Sequence, residues 1–358
     1  MELYHKLDLA LTRCGYPALD GVAGYQQIGS GAWHDAYLVQ PPGTMPLVVR
    51  LRKAVIYGRS EQWDAQALHE DYAPVGLYYR EANRCWPGIC PGVYHYRIDP
   101  DLIFTLESYV PGAPLPLPNL SSEAASKIGA SLAKFFRQMH ERPAPLPGNG
   151  LVTWNGAQVS AASQQPWAAV WQARREKARR QLATLTGSSL EFDRDHLRQK
   201  LAEVLNGRHH AGEPAVLVNR NITPENLLVR DNTWVGLVDP VPLLDNGTYY
   251  AAWFTHCYRL FLPALSDAPR YRHHHFKDHA MTLNAVADGF ETGYCQDDSA
   301  LKQAMAWDEF LWALDLAYES YELVRQGMTP EMRLRRGDEP RVAATLTRSL
   351  RILEADKM

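Results

Sequence analysis

The chain has 358 residues, with 46% hydrophobic and 22% charged side chains, which is typical of a globular protein with a sizeable core. Its formal net charge of −3 argues against a polyanionic partner such as nucleic acid. No stretch reaches the roughly 18 consecutive apolar residues of a membrane-spanning helix, and charges interrupt the apolar pattern at the N-terminus. The five cysteines are scattered without zinc-ribbon spacing. We therefore expect a reduced, soluble, cytoplasmic protein with neither a nucleic-acid partner nor a membrane partner.

A glycine turn between two short strands is the first candidate for ligand binding. After a helix predicted over residues 3–14, Tyr25–Val39 reads YQQIGSGAWHDAYLV and predicts a hairpin around Gly29, Ser30 and Gly31. Glycines allow a tight turn whose backbone N–H groups can face a phosphate. Glycine turns are also common in ordinary hairpins, so this motif alone indicates nucleotide binding only weakly.

A basic strand and a helical stretch follow the glycine turn. PLVVRLRK at residues 46–53 predicts a strand in which Arg50, taken by itself, is an exposed cation on an edge strand. Residues 63–72 can form an inserted helix, and residues 78–84 predict the helix that carries Glu81. Taken by itself, Glu81 is expected to be a solvated charge on that helix.

The next apolar stretch, LIFTLESYVPGAPLP at residues 102–116, predicts a strand that ends in a Pro-Gly turn. A strong helix over residues 121–140 follows, with a serine at its start as the cap and an apolar stripe along one face. We take this change from strands to helices as a boundary. It divides the chain into a sheet-bearing domain at 1–112 and a helical domain at 113–358.

The most informative stretch is LVNRNITPENLLVRDNTWVGLVD at residues 217–239. Short apolar runs bounded by turn residues predict buried strands, which places Asn226 at the end of a turn and Asp239 at the end of a strand. A hairpin between them brings the two side chains together. A carboxylate and an amide oxygen held in this way can share one Mg²⁺, which prefers oxygen ligands. We therefore predict Asn226 and Asp239 as metal ligands.

This stretch resembles the kinase catalytic loop, His-x-Asp-x-x-x-x-Asn, followed by a strand and a metal-binding Asp. Pro224 before Asn226, and the hairpin directly after it, are more similar to the aminoglycoside phosphotransferase and choline kinase branch than to protein kinases. The resemblance covers roughly residues 20–325. It implies an α+β, two-lobed protein-kinase-like fold, with a small antiparallel-sheet N-lobe and a larger, mostly helical C-lobe.

The resemblance also implies roles for the earlier motifs, with ATP and Mg²⁺ as the expected cofactors. The turn at 29–31 corresponds to the loop over the phosphates. Arg50 stands where the family has a lysine that holds the α- and β-phosphates, and Glu81 is the candidate for its partner on a helix. Main-chain groups of Ser108 to Val110 correspond to the segment that meets the adenine edge.

The chain departs from the family pattern at the residues closest to the chemistry. Asn219 stands at the histidine position and Asn221 at the position of the catalytic Asp, and Pro240-Val241 replaces Phe-Gly after the metal-binding Asp. An amide oxygen can accept a hydrogen bond from a hydroxyl, but it cannot take a proton at neutral pH. We also expect the change at Asn219 to remove a contact that braces Asp239, and Pro240 to push Asp239 towards an extended backbone.

Three functional interpretations follow from these substitutions. The first is an ATP-Mg-binding protein with weak or absent phosphotransfer, acting as a pseudokinase or as a module that binds a protein partner. The second is an active kinase for the hydroxyl of a small-molecule acceptor with a non-standard base, for which Glu225 is nearest in sequence. The third is nucleotidyl transfer on the same fold. An engineered Asp→Asn change at position 221 is a further explanation, which the paired change at Asn219 argues against.

Two other groups of residues are candidates for binding. His273, His274 and His275, with His279, offer imidazoles at metal-ligand spacing, but no cysteine or carboxylate of convincing spacing completes the set. We therefore favour a surface helix or loop there. Trp154, Trp167 and Trp171 could face a substrate or a partner, although a structural role is favoured for them.

Overall fold

An antiparallel sheet and two helices form the first part of the computed structural model, which describes residues 2–21, 24–60, 62–209 and 212–355. In chain order, these elements are α1 (Leu3–Arg13), β1 (Tyr25–Ser30), β2 (His34–Val39), β3 (Leu47–Arg52), β4 (Val55–Ile56), β5 (Arg59–Ser60), α2 (Ala65–Cys85), β6 (Tyr94–Asp99) and β7 (Leu102–Ser108). Five of the strands form one sheet in the order β1-β2-β3-β7-β6, with every neighbouring pair antiparallel. The short strands β4 and β5 pair with each other.

The two faces of this sheet have opposite character because successive side chains along a strand alternate in direction. Val49, Phe104 and Leu106 lie on one face and join Leu7 and Leu11 of α1 in a separate apolar cluster. The alternate positions along β3 and β7 point the other way and include the polar side chains of Arg50, Thr105 and Glu107. The strand period therefore places charged groups on the face turned away from α1.

Helix α2 is continuous where the sequence suggested two separate helical pieces. Asp64 caps it by accepting hydrogen bonds from the N–H groups of Gln66 and Ala67. Pro74 lies inside the helix, where it removes one backbone donor, yet the buried side chains on both sides of it keep the two halves aligned. The prediction of an inserted helix followed by a second one was therefore wrong at this point.

Helices dominate the rest of the chain, together with a four-stranded sheet and a three-stranded sheet. In chain order, the elements are β8 (Ala113–Pro114), α3 (Ser122–His140), β9 (Asn149–Trp154), β10 (Val159–Ser163), α4 (Trp167–Thr186), α5 (Arg194–Gly207), β11 (Val216–Asn219), β12 (Leu227–Arg230), β13 (Thr233–Leu237), β14 (Pro242–Asp245), α6 (Gly247–His256), α7 (Leu262–Leu265), α8 (Ala280–Cys295), α9 (Ser299–Gln326), α10 (Pro330–Arg336) and α11 (Glu339–Glu354). The four-stranded sheet has the order β10-β9-β14-β11, and the three-stranded sheet has the order β13-β12-β8. A π turn at Cys257–Phe261 joins α6 to α7. This arrangement is the small sheet followed by a larger helical part that the sequence predicts.

Helices α3 and α8 cross closely enough to require glycine at the contact. A Cβ atom on Gly129 would lie 2.0 Å from the carbonyl oxygen of Val286, and one on Gly289 would lie 2.0 Å from that of Ser126. Around this crossing, Phe136, Phe254 and Phe290 stack into the main apolar core. This apolar core holds together the helices against which the short strands pack.

Two short antiparallel pairs place the informative loop beside Asp239. β11 pairs with β14, and β12 pairs with β13. The N–H of Arg220 donates to the carbonyl oxygen of Val241 over 3.0 Å, and the N–H of Val238 donates to that of Asn226 over 3.0 Å. Within the described residues, no helix is long and apolar enough to cross a membrane.

Candidate functional site

A cleft of about 880 Å³ opens between the sheet and the helical part. Its walls carry Arg50 of β3, Glu107 of β7 and Tyr79 of α2, and opposite them Asn221 and Asp239 of the two loops. Two of the residues that the sequence singles out in the informative loop therefore face the polar side of the sheet, whereas Asn226 is not part of this lining. The volume is in the range of small-molecule sites.

Asn221 makes its contacts to Asp239 with its amide nitrogen. The Nδ2 atom donates to the main-chain carbonyl oxygen of Asp239 over 2.7 Å and lies 3.3 Å from its Oδ2. Both partners are acceptors, so the hydrogen bonds fix which end of the amide faces Asp239. A carboxylate at position 221 has no hydrogen to donate, so it could not make these two bonds.

Asn219 braces both loops, although we expected the bracing contact to be lost with the histidine. Its Oδ1 accepts from the N–H of Asn221 and from that of Val241, each over 2.9 Å. The side chain is almost completely buried, so these two bonds satisfy groups that water cannot reach. These partners are not Asp239 itself, so Asn219 braces the segments beside it, and the loss of a direct contact to Asp239 stays a prediction.

The backbone of Asp239 differs from the extended conformation that Pro240 favours. Its φ is +54°, in the left-handed region that few residues other than glycine adopt. Its N–H donates to the Tyr79 hydroxyl over 3.1 Å, while half of its side chain is exposed in the cleft. The prediction from the proline was wrong, and the conformation is a strained one of the kind that clusters at functional sites.

Asn226 lies next to Asp239 through the ladder bond from Val238. The residue is buried, and its Nδ2 lies 3.3 Å from Thr223 Oγ1. Within the described residues, no hydrogen bond reaches its amide oxygen. That oxygen and the half-exposed carboxylate of Asp239 are the donor types that Mg²⁺ prefers.

Arg50 finds its partner on a strand rather than on helix α2. Its Nε lies 3.0 Å from Glu107 Oε1, and its Nη1 lies 3.5 Å from Asp239 Oδ1. Burial by itself lowers the pKa of Arg50, but the charges of Glu107 and Asp239 outweigh it and raise the pKa above its ordinary value. Tyr79 completes the group by donating from its hydroxyl to Glu107 Oε2 over 3.0 Å.

The expected ion pair between Glu81 and Arg50 was wrong. The Glu81 carboxylate lies 2.8 Å from Arg84 Nη1 and 3.4 Å from Arg80 Nε on its own helix, and 3.8 Å from Arg142. Sequence reasoning missed Glu107, although the strand period offers a signal. Glu107 is a charged residue within an apolar strand, and its register partner in β3 is Val48, two residues from Arg50.

Arg52 at the end of β3 and Lys53 just after it contact groups other than Asp239. Arg52 lies 3.1 Å from Asp71 and stacks over the ring of Trp33. Lys53 instead reaches the glycine turn, where its Nζ donates to Ser30 Oγ over 2.8 Å and to the Gly31 carbonyl over 2.7 Å. Of these three cations, only Arg50 therefore lies beside Asp239.

The glycine turn has its polar groups already engaged. The N–H of Gly31 donates to the His34 carbonyl over 2.8 Å, and Gly29 lies within β1 with Ala36 as its register partner. A Cβ on either glycine would meet only ordinary contacts, the nearest at 3.7 and 3.8 Å. Steric need therefore does not explain these glycines, and the cation available at the turn is Lys53.

At the end of β7, two backbone N–H groups donate to other strands or loops, and a third does not. The N–H of Ser108 donates to the Val93 carbonyl and that of Tyr109 donates to the Pro46 carbonyl. The N–H of Val110 makes no backbone hydrogen bond with the described residues. Its side chain packs over Gly236, where a Cβ would lie 2.6 Å from a Val110 methyl.

Glu225 and Asp245 lie in places that the sequence does not indicate. Glu225 lies outside the cleft wall in the described part of the chain, and its Oε1 is 2.6 Å from His274 Nε2. Asp245 is buried and pairs with Arg174 Nη2 over 2.9 Å. Neither carboxylate is placed to accept a proton near Asn221.

An aromatic wall continues the cleft beyond the charged group. Trp253, Trp312 and Phe261 line it, together with Tyr57 and Tyr271. The tryptophans that the sequence singled out lie elsewhere, since Trp171 is buried in the core and Trp154 stacks on His69. Sequence patterns missed Trp253 because helix α6 reads as apolar on all sides, and Trp312 because it stands within an apolar run of α9.

Comparison with solved structures identifies proteins of the same fold. Two solved structures share the fold over nearly the whole chain. They are a GDP complex of wild-type aminoglycoside 2'-phosphotransferase-IIIa, at 14% identity and a TM-score of 0.52, with 99% of each chain covered, and aminoglycoside phosphotransferase APH(4)-Ia, at 12% identity and a TM-score of 0.52, with 96% of this chain and 98% of that chain covered. The two-lobed, protein-kinase-like fold is therefore confirmed.

The family follows from the sequence match itself. The model of the phosphotransferase enzyme family matches residues 24–242, which is more than half of the chain. The chain therefore belongs to the phosphotransferase enzyme family, as the resemblance of its loop predicts. No sequence among curated proteins matches it.

Proposed function

We propose that the cleft binds ATP with Mg²⁺ and that phosphoryl transfer from it is weak because Asn221 supplies no base. One observation carries the proposal. Arg50, Asn221 and Asp239 meet in the cleft, with Asp239 within 3.5 Å of the guanidinium and 3.3 Å of the amide. A fixed cation, a half-exposed carboxylate and an amide at this spacing suit a phosphate chain and its counterion.

The donor set fits Mg²⁺ on the chemistry of its oxygens. Asp239 and Asn226 would hold the ion, since one offers a half-exposed carboxylate and the other an amide oxygen to which no described group donates. When bound, Mg²⁺ neutralises phosphate charge. Arg50 orients the same phosphates through its fork of donors, which Glu107 keeps in place.

The remaining nucleotide contacts follow from the groups that are available. The N–H of Val110, next to Ser108, is the donor we assign to the base of the nucleotide. At the turn of Gly29, Ser30 and Gly31, Lys53 supplies a second cation for phosphate. These assignments make residues 1–112 and 113–358 the two units that meet at the nucleotide.

The acceptor that fits the cleft is a small molecule with a hydroxyl group. Proteins of the same fold include aminoglycoside phosphotransferases, and the aromatic wall beyond Asp239 offers flat apolar faces for a ring-shaped acceptor. The alternative in which Glu225 serves as the base loses support, because its carboxylate faces His274.

Phosphate release from ATP tests this proposal through position 221. We expect the wild-type protein to turn over far below the roughly 1–100 s⁻¹ of active kinases. Asn221→Asp should raise the rate by about 10²–10⁴-fold, the usual contribution of a general base. Asn221→Ala is the matched control and should not raise it. Wild-type turnover at ordinary kinase rates would contradict the proposal, and attachment of AMP to product would favour nucleotidyl transfer.

A further inference from the structure

Three potential metal ligands meet below the loop that carries Asn226. Glu225 lies in the 3₁₀ turn Pro224–Asn226, and His273 and His274 lie in the 3₁₀ turn Arg272–His274. One ligand atom from each residue lies within 4.8 Å of the other two. The carboxylate that completes the histidine pair is thus 48 positions away in sequence, which is why spacing did not reveal it.

His274 is held in place more firmly than a surface histidine. Its ring stacks on Phe276, with centroids 4.8 Å apart and an angle of 11° between planes, and its side chain is 18% exposed. Its Nε2 is buried and lies 2.6 Å from Glu225 Oε1, but it has no aligned hydrogen bond. The nitrogen and the carboxylate oxygen therefore face each other across a point where each can donate a lone pair.

His273 lies on the solvent-exposed side of the group. Its ring centroid is 3.8 Å from that of His274, and the residue is exposed to solvent. Two imidazoles and one carboxylate, with one side open to water, form the ligand number of an accessible zinc site. Imidazole also favours zinc over magnesium or calcium, which prefer ligand sets made of oxygen.

We propose that Glu225, His273 and His274 bind a divalent transition-metal ion, with Zn²⁺ as the best match. The ion would link the loop of Asn226 to the segment before α8. It differs from the proposed Mg²⁺ both in its ligands and in its place outside the cleft wall. The site does not depend on nucleotide binding, so the two proposals fail or succeed separately.

One neighbouring cation faces the group. Arg270 is the opposing charge, and it acts on both Glu225 and His273. Its guanidinium lies over the rings of Tyr57 and Tyr271.

Calorimetric titration of the whole, metal-stripped chain with Zn²⁺ tests the site. We expect one Zn²⁺ per chain, and an affinity that falls by more than about tenfold in Glu225→Gln and in His274→Ala, since even groups behind the ligands contribute 10–100-fold. His275→Ala is the matched control from the same histidine run. Its ring contacts Asp278 and is outside the group, so binding should be unchanged.

Two outcomes would overturn the proposal. One is the absence of stoichiometric Zn²⁺ binding by the wild-type chain. The other is an equal loss in the His275 control, which would show that the loss of affinity is not specific to the assigned ligands. Because a ligand variant can misfold, the visible absorption of Co²⁺ in the wild-type chain gives a second reading. A four-coordinate spectrum supports the site, and the spectrum of hydrated Co²⁺ contradicts it.

Discussion

At the residue scale, the charge of Arg50 is balanced by Glu107 on the neighbouring strand β7. Glu107 is buried, pairs with Arg50 and accepts from the Tyr79 hydroxyl, which in turn accepts from the N–H of Asp239. The proposed phosphate ligand and the proposed metal ligand therefore share one buried network. Removing any one member leaves the others with an unbalanced charge or with a polar group that lacks a hydrogen-bond partner.

Substituting Glu107→Gln should lower the free energy of unfolding by about 2–4 kcal/mol, because it leaves Arg50 in a buried place with only the more distant Asp239. Urea denaturation measures the change. Glu123→Gln is the control, since that residue lies in an exposed pair with Lys127 and should cause no measurable change. Equal midpoints for the two variants would show that the Arg50 pair adds nothing to stability.

The approach of the hairpin segments that carry Asn226 and Asp239 could be predicted from the sequence, whereas the partner of Arg50 could not. Asn226 and Asp239 stand at fixed distances along one hairpin, so local pattern sets their approach. The approach of Glu107 to Arg50 depends on which strands become neighbours in the sheet, and that order does not follow the chain. Glu81 and Glu107 are equally plausible carboxylates until the sheet order is known.

At the scale of elements, the crossing of α3 and α8 sets how the helical part packs. Gly129 and Gly289 each lie against a backbone carbonyl of the other helix, so neither position has room for a side chain. Backbone cannot move aside as a flexible side chain can. The closeness of the two helices thus depends directly on these residues.

Substituting Gly129→Ala should lower the free energy of unfolding by about 2 kcal/mol or more, although alanine favours helix over glycine. The new methyl group would lie 2.0 Å from the Val286 carbonyl oxygen. Thermal or urea unfolding measures the loss. Gly212→Ala, where a Cβ meets nothing within 4 Å, serves as the control and should leave stability nearly unchanged.

Element boundaries show where sequence patterns succeed and where packing overrides them. The helix from Ser122 begins with the serine cap that the sequence predicts, since Ser121 accepts from the N–H of Ala124. Helix α2 passes through Pro74 because apolar side chains on both sides of it are buried. Local rules thus hold at exposed helix starts and give way where a proline lies within a buried face.

For the whole molecule, two buried histidines link stability to pH. His140 ends α3 and is hydrogen-bonded to the Tyr294 hydroxyl over 2.9 Å, and His256 ends α6 beside Trp253. Burial lowers the pKa of each to about 3, against about 6.5 for an exposed histidine. Both are neutral in the folded protein at neutral pH, as a structural role requires.

Stability should therefore decrease as the pH falls below about 6.5, because the unfolded chain gains protons that the folded chain does not. The decrease continues towards pH 3, where the folded histidines also become protonated. Each histidine contributes about 1.4 kcal/mol per pH unit in this window. His256→Leu isolates one of them, and wild-type stability should fall relative to the variant by that amount per unit. Parallel pH profiles would contradict the assignment.

The central claim concerns the whole cleft, namely that Asp239 holds the metal of a bound nucleotide. The most direct measurement is the unfolding temperature with ATP at about 1 mM, the upper end of ordinary KM values, with and without Mg²⁺. A ligand at about 100 times its Kd stabilises by roughly 2.7 kcal/mol. Asp231→Asn is the matched control for Asp239→Asn, since both aspartates have positive φ in neighbouring turns.

We predict a clear rise in unfolding temperature with ATP and Mg²⁺ that is smaller without Mg²⁺. The dependence on Mg²⁺ should disappear in Asp239→Asn and persist in Asp231→Asn. A wild-type chain whose unfolding temperature is the same with and without ATP and Mg²⁺ would contradict the claim. It would leave a phosphotransferase fold whose cleft serves another ligand.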